Sequence, residues 1–323
     1  MDDAGVDGAS RVRVRVPSKV NLFLGVRGLR PDGYHELVTV MQTVTIHDTV
    51  LAKLDGSVAS AHPAARRFME LAFTQEAGPG VPPGGDNLAV RAARHLMGLV
   101  GVGTSQRDAE AQVPVTRLHL TKNIPVAAGM AGGSADAAAA LLALNRLWGT
   151  GLDRDELREI AAELGADVPF CVTGGTALAT GTGTATAQVL CRGTYYWVVG
   201  ISDQPLSTPA VYRAYDDVGT PSEREPDAVL QALRTGDAEA LGAALHNDLE
   251  VAAFSLRPEL HDARDMFLDN GALGAVVSGS GPTVVALAES AQHAGELARR
   301  MHGVFDRIEV ALSPAGGPDI ESE

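Results

Sequence analysis

The residues best suited to chemistry lie in the run Pro125-Val126-Ala127-Ala128-Gly129-Met130-Ala131-Gly132-Gly133-Ser134-Ala135-Asp136, which carries three glycines and four alanines. Side chains this small let a ligand approach the backbone and leave N–H groups exposed. Ser134 suits the N-cap region of a following helix, so loop amides and the positive helix end can converge on a phosphate. No Gly-Lys-Ser/Thr closes the loop as in a Walker A motif, and the dinucleotide fingerprint's spacing and ribose-binding acid are also missing. Taken alone, the glycines are equally compatible with a plain strand-to-helix turn. Asp136 adds a tension: it complements the helix dipole but would repel a phosphate, so it must turn away or meet a cation, with Mg²⁺ as one candidate.

A strand has to deliver this loop and a helix has to leave it. Val115 to Leu120 alternates as a strand, and the Ala-rich stretch from Ser134 to about Trp148 reads as the helix. Upstream, Arg11 to Pro17 alternates strictly, which predicts a strand whose end delivers Ser18, Lys19 and Asn21. Turn residues Gly28 to Gly33 lead into one long or two short strands over Leu37 to Leu51. Asp86 or Asn87 can cap a helix over Leu88 to Leu99, and Asp153 to Leu164 reads as another helix, ending at Gly165. Beyond a boundary near residue 185, the pattern is a strand at Tyr195 to Ile201, several helices over Thr208 to Asn270, and a strand at Gly274 to Val277. A turn at Ser278 to Gly281, a strand at Thr283 to Leu287, a helix at Ala291 to His302 and a strand at Arg307 to Leu312 follow. That is the split β-α-β-β-α-β order of a ferredoxin-like domain with inserted helices. Met1 to Ser10 and the small polar run from Ser313 onward read as mobile tails, and no function is assigned to His62 to Pro83.

These segments together resemble the galacto-, homoserine, mevalonate and phosphomevalonate (GHMP) kinase superfamily. Pro125, Gly129, Met130, Gly133, Ser134 and Ala137 match its phosphate loop, with departures at Ala127-Ala128, where glycines are frequent, and at Ala135-Asp136, where Ser-Asn is common. Pro17-Ser-Lys19-Val-Asn21-Leu-Phe-Leu, Arg30-Pro-Asp-Gly-Tyr34-His35-Glu-Leu and Gly165-Ala-Asp167-Val-Pro-Phe narrow the resemblance to members whose alcohol substrate carries a cytidine diphosphate group. The likeness spans nearly the whole chain. It implies an α+β GHMP kinase fold, with residues 1–185 resembling the second domain of ribosomal protein S5 and residues 186–323 ferredoxin-like, and the site between them. It further implies transfer of the ATP γ-phosphoryl group, with Mg²⁺, to the 2-hydroxyl of a cytidylylated methylerythritol on the non-mevalonate route to isoprenoids.

The resemblance also implies roles for residues. Asp167 matches the base for the substrate hydroxyl, and Lys19 the lysine that holds this carboxylate and the transferring group; without the motifs they would read as a turn acid and a surface charge. Such chemistry needs an aligned alcohol, a proton acceptor and positive charge on the phosphoryl oxygens. Asn21, Tyr34, His35, Thr208 and Tyr212 match the substrate pocket, with the aromatic rings against cytosine. Asn87, Leu88, Lys122 and the loop from Pro125 to Ala135 match the ATP site. Ser278 to Gly281 matches a third motif that packs near the phosphate loop. No metal ligand is assigned. A homoserine or mevalonate kinase would share the loop but not the Tyr34-His35 pair, and a non-catalytic sensor would share the fold without needing both Lys19 and Asp167.

Composition narrows the field independently. The chain has 323 residues, enough for two domains, and its net charge of −14 disfavours nucleic acid and anionic membranes as partners. With 45% hydrophobic and 20% charged residues it is globular, and no apolar run is long enough to span a bilayer. Cys171 and Cys191 among apolar neighbours read as buried free thiols in a reducing cytoplasm. A monomer or homodimer acting on a small molecule is the expectation.

Overall fold

The computed structural model describes residues 10–55, 70–76, 80–82, 84–100, 115–218 and 220–323. The expected N-terminal tail and most of the His62 to Pro83 stretch lie outside the described residues. Strand β1 (Arg11–Leu29) and strand β2 (His35–Asp55) form one long antiparallel ribbon, paired from Arg11 with Lys53 to Leu29 with His35. In its first half β1 alternates as the sequence demands, with Val12, Val14 and Val16 buried and Arg13 and Arg15 exposed. From Val16 to Val26 every residue is buried, so the strand runs on through Lys19 and Asn21 instead of ending at Pro17. Register shifts at Pro17/Ser18 and Asn21/Phe23 bracket this central stretch, and such bulges re-aim side chains.

The ribbon carries two wings. One adds β3 (Glu70–Glu76) and β4 (Val115–Thr121) beside the far half of β2, and the other adds β5 (Thr176–Gly181) and β6 (Ala185–Gln188) beside its near half. Helix α1 (Leu88–Leu99) connects β3 to β4, and Asn87 caps it by accepting from the Ala89 N–H at 2.9 Å. Helix α2 (Gly132–Trp148) lies against α1 and the ribbon. Ala135 and Ala137 to Leu144 are buried on every side, as befits a helix with neighbours all round. Helices α3 (Arg154–Ala162), opened by a capping box at Asp153 and Glu156, and α4 (Val168–Thr173) lead into β5.

The second sheet holds β7 (Tyr195–Ile201), β9 (Gly274–Val277), β10 (Val284–Ala288) and β11 (Arg307–Ser313) in the order β11-β7-β10-β9, all antiparallel. With α10 (Ala291–Arg300) between β10 and β11, this is the ferredoxin-like arrangement. Between β7 and β9 come α5 (Thr208–Val218), α6 (Asp227–Thr235), α7 (Ala238–Ala244), the short strand β8 (His246–Asn247), α8 (Glu250–Leu256) and α9 (Glu259–Asp269). Strand β8 returns to the first sheet, where it pairs in parallel with Phe23 and Leu24. No helix among the described residues is long and apolar enough to cross a membrane.

Three expectations are corrected. The run after Ser313 is not a loose tail: β12 (Asp319–Ser322) pairs with β1 from Val12 to Arg15, because that half of β1 has an otherwise open edge. Helix α2 starts at Gly132, two residues before Ser134, since left-handed Ala131 (φ 56°) precedes it and no side chain caps it. Cys171 is a buried free thiol whose ionisation burial suppresses, but Cys191 is only half-buried and accepts a hydrogen bond from Gln42 at 3.2 Å.

A buried polar chain joins the two sheets. The Trp197 indole donates to Ser313 Oγ at 2.7 Å, Ser313 donates to the Gln42 carbonyl, and the Gln42 amide donates to Thr176 Oγ1 at 2.8 Å. Replacing Gln42 by Leu strands buried hydroxyls on both sides, so Gln42→Leu is expected to cost roughly 2–4 kcal/mol in urea unfolding.

Candidate active site

A cleft of about 770 Å³ opens between the phosphate-loop side of α2 and the N-terminal part of α5. Its floor is the central stretch of β1. Lys19 and Asn21 stand two apart and therefore on one face, and Lys19 Nζ donates to Asn21 Oδ1 at 2.6 Å. Asn21 donates in turn to Thr39 Oγ1 at 2.8 Å, and Thr39 to the Phe23 carbonyl at 2.6 Å. The other contact of the Lys19 ammonium is Asp167 Oδ2 at 3.5 Å, just before α4. The lysine is thus aimed by a satisfied network, with its side chain only 5% exposed, while the Asp167 carboxylate reaches the open space at 33%.

The loop forms the cleft's second wall. Ala127, Gly129 and Ala131 are left-handed at every other position, with φ of 51°, 73° and 56°. Such alternation turns successive amides to one side and makes a concavity for anions. Two of the three residues are alanines, which hold this conformation at a cost of about 1–2 kcal/mol each. The first bond within α2 runs from the Ala135 N–H to the Ala131 carbonyl, which leaves the N–H groups of Gly132, Gly133 and Ser134 without acceptors inside the helix. All three residues line the cleft. The loop is pinned from both sides, by the Lys19 N–H on the Met130 carbonyl at 3.3 Å and by Ser278 Oγ on the Gly129 carbonyl at 3.1 Å.

Asp136 resolves its tension by turning inward. Lys122 Nζ donates to Asp136 Oδ2 at 2.8 Å and to the buried Asp48, whose other oxygen accepts the N–H groups of Asn123 and Ile124 at 2.6 and 2.9 Å. The ammonium therefore ties the loop's first residue to the first turn of α2. Burial pushes the Asp136 carboxyl up to about 8, the Lys122 charge opposing the rise and Asp48 adding to it.

Across the cleft, the His35 ring stacks on Tyr212 with centroids 5.0 Å apart, and its Nε2 contacts Asp216 Oδ1 at 2.7 Å. Tyr34 projects at the tip of the β1–β2 turn, 67% exposed. Thr208 Oγ1 meets Ser280 Oγ at 2.8 Å, joining α5 to the turn that also holds Gly129. Burial, with the Asp167 carboxylate adding, holds the Tyr212 phenol above its usual range, so it stays a hydrogen-bond donor.

The family model for the GHMP kinases N terminal domain matches residues 87–175, and that for the GHMP kinases C terminal matches residues 229–307. A 4-diphosphocytidyl-2-C-methyl-D-erythritol kinase of Nocardioides sp. is 48% identical, aligned over 96% of this chain and 99% of its own. One from Salinispora tropica is 46% identical, over 99% and 97%. The chain belongs to this family of GHMP kinases. A crystal structure of a 4-(cytidine 5'-diphospho)-2C-methyl-D-erythritol kinase has a TM-score of 0.73 at 33% identity, covering 93% of this chain and 98% of that one. A homoserine kinase from Cytophaga hutchinsonii reaches 0.72 at 19% identity, covering 99% of both chains, which is a likeness of fold.

Of the GHMP kinase residues expected at the site, Lys19, Asn21, Tyr34, His35, Leu88, Asp167, Thr208 and Tyr212 line the cleft. So do Ala127, Ala128, Gly129, Ala131, Gly132, Gly133 and Ser134. Six do not. Asn87 is taken up by the α1 cap and by the Pro82 carbonyl at 3.2 Å, and Lys122 by its two carboxylates. Met130 and Ala135 are buried in the core, while Pro125 and Val126 stand outside the lining. Thr39, Arg213 and Asp216 line the cleft without having been singled out, and Ser280 lines it from the third motif. Asp216 and Arg213 had a signal in the sequence, since they share the turn of α5 that follows Tyr212; Thr39 had none.

Two variants test this geometry. A Cβ on Gly129 would stand 2.0 Å from the Ser278 carbonyl, in a backbone conformation that also disfavours it. Gly129→Ala is therefore expected to displace the loop and abolish ATP binding, measured by calorimetry. Lys122→Met leaves two buried carboxylates facing each other, and an expected loss of roughly 3–5 kcal/mol is read from denaturant unfolding.

Proposed function

We propose that this protein transfers the γ-phosphoryl group of ATP to the 2-hydroxyl of 4-diphosphocytidyl-2-C-methyl-D-erythritol, in the synthesis of isoprenoid precursors outside the mevalonate route. The observation that carries the reading is the convergence of three parts on one cleft: the Lys19–Asp167 pair, the amide-lined loop at the start of α2, and the His35–Tyr212 stack. The enzyme acts in the cytoplasm as a monomer or homodimer, residues 1–185 and 186–323 serving as its two domains.

Asp167 accepts the proton of the attacking hydroxyl, whose oxygen forms the new bond to phosphorus while the bond to the bridging oxygen of ADP breaks. Lys19 keeps that carboxylate aligned and faces the transferring group with positive charge, and Asn21 and Thr39 hold the lysine. The loop amides and the first turn of α2 hold the phosphates. His35 and Tyr212 hold the cytosine, with Tyr34 on the rim.

Among the described residues no group of three or more His, Cys, Asp or Glu is arranged to hold an ion. Asp136 is occupied by Lys122 and turned from the cleft. This donor set fits a magnesium ion carried on the triphosphate, for such an ion keeps several waters and needs few protein ligands. Ser134 is the cleft hydroxyl that would hold it, leaving the Asp167 carboxylate to accept the proton. When bound, the ion supplies charge neutralisation on the phosphate oxygens.

Phosphorus NMR with ATP, Mg²⁺ and the cytidylyl substrate is expected to show ADP and a new phosphomonoester, with none from mevalonate or homoserine in parallel samples. Turnover of one of those alcohols instead would discard the cytosine pocket. Binding of both ligands without turnover would indicate a sensor. Asp167→Asn and Lys19→Met are each expected to lower kcat roughly 10²–10⁴-fold with the protein still folded.

A further inference from the structure

We infer that Arg213 binds the diphosphate of the alcohol substrate and so sets its preference for a cytidine diphosphate group over the bare nucleoside; this rests on the cytidylyl reading above. Helix α5 presents its side chains in rows four residues apart. Val211 and Tyr215 are buried and form its inner row. Thr208, Tyr212 and Asp216 form the row that faces the cleft, and Pro209 and Arg213 form the next row, which also lines it.

Arg213 is exposed, and among the described residues it has no ion-pair or hydrogen-bond partner. The carboxylates within reach along the helix are Asp216, which is turned to His35 at 2.7 Å, and Asp217 four residues on, which makes no ion pair with Arg213. The guanidinium is left free at the cleft surface beside the base-stacking pair.

Charge bookkeeping points the same way. The charged groups lining the cleft, apart from the histidine, are Lys19, Arg213, Asp167 and Asp216. Lys19 is enclosed at the floor by Asp167 and Asn21. A substrate whose base sits at His35 and whose hydroxyl sits at Asp167 carries its diphosphate between them, past a carboxylate at each end, in a protein of net charge −14. Arg213 is the remaining cation of the lining. The guanidinium fork suits phosphate oxygens and holds its charge at every working pH.

The test compares cytidine and CDP as ligands in calorimetry, for the wild type, Arg213→Met and Arg213→Lys. The wild type is expected to bind CDP more tightly than cytidine. Arg213→Met is expected to weaken CDP roughly 10- to 100-fold and leave cytidine unchanged. Arg213→Lys keeps the charge and is expected to retain part of the CDP advantage. Being exposed, the residue is replaceable without a change in Tm. If Arg213→Met keeps the full CDP advantage, or the wild type binds the two ligands equally, the inference is overturned and the cytosine pocket stands. If the wild type binds neither, the cytidylyl reading falls and takes the inference with it.

Discussion

The structure turns on one close approach, where the backbone of Gly129 meets the Ser278 carbonyl with no room for a side chain between them. That contact presses the phosphate loop of the large sheet against a turn of the small one. On its other side the same loop is held by the Lys19 amide. The strand that carries the ammonium, the loop that presents the amides and the turn that reaches Thr208 are therefore held directly against one another. A phosphoryl donor and its acceptor must be aligned to within a fraction of an ångström, and this arrangement supplies that alignment from the backbone.

Side-chain charge is distributed with the same economy. Lys122 lies buried under the loop and closes its two ends together through Asp48 and Asp136. Lys19 lies at the floor and is aimed by Asn21. The first cation braces the loop from beneath without entering the cleft, and the second lines the cleft floor. With Asp at position 136, Lys122 is held between two buried carboxylates and does not line the cleft, a placement that only the tertiary contact reveals.

Much of the scaffold was legible because it obeys simple periodicities. The β-α-β-β-α-β order, the strand-loop-helix junction and the Asn87 cap follow from alternation, small-residue loops and capping chemistry. The signal failed where burial became two-sided. From Val16 to Val26 both faces of β1 are covered, so alternation stops and the strand seems to end where its chemistry starts. Asp319–Ser322 is too short to show a period and is a strand only because β1 offers an edge. The candidate pair Lys19 and Asp167 was visible through motifs, whereas the Asp48–Lys122 contact spans 74 residues and left no local trace.

The pairing of β12 with β1 also constrains how the polypeptide leaves the ribosome. Arg13 and its partner Glu321 are 308 residues apart. The half-strand from Val12 to Arg15 is made long before its partner, so one of its edges stays bare while the residues between them are made. Arg13 and Arg15 are exposed on that half-strand, and charge of this kind disfavours pairing of an open edge with other chains.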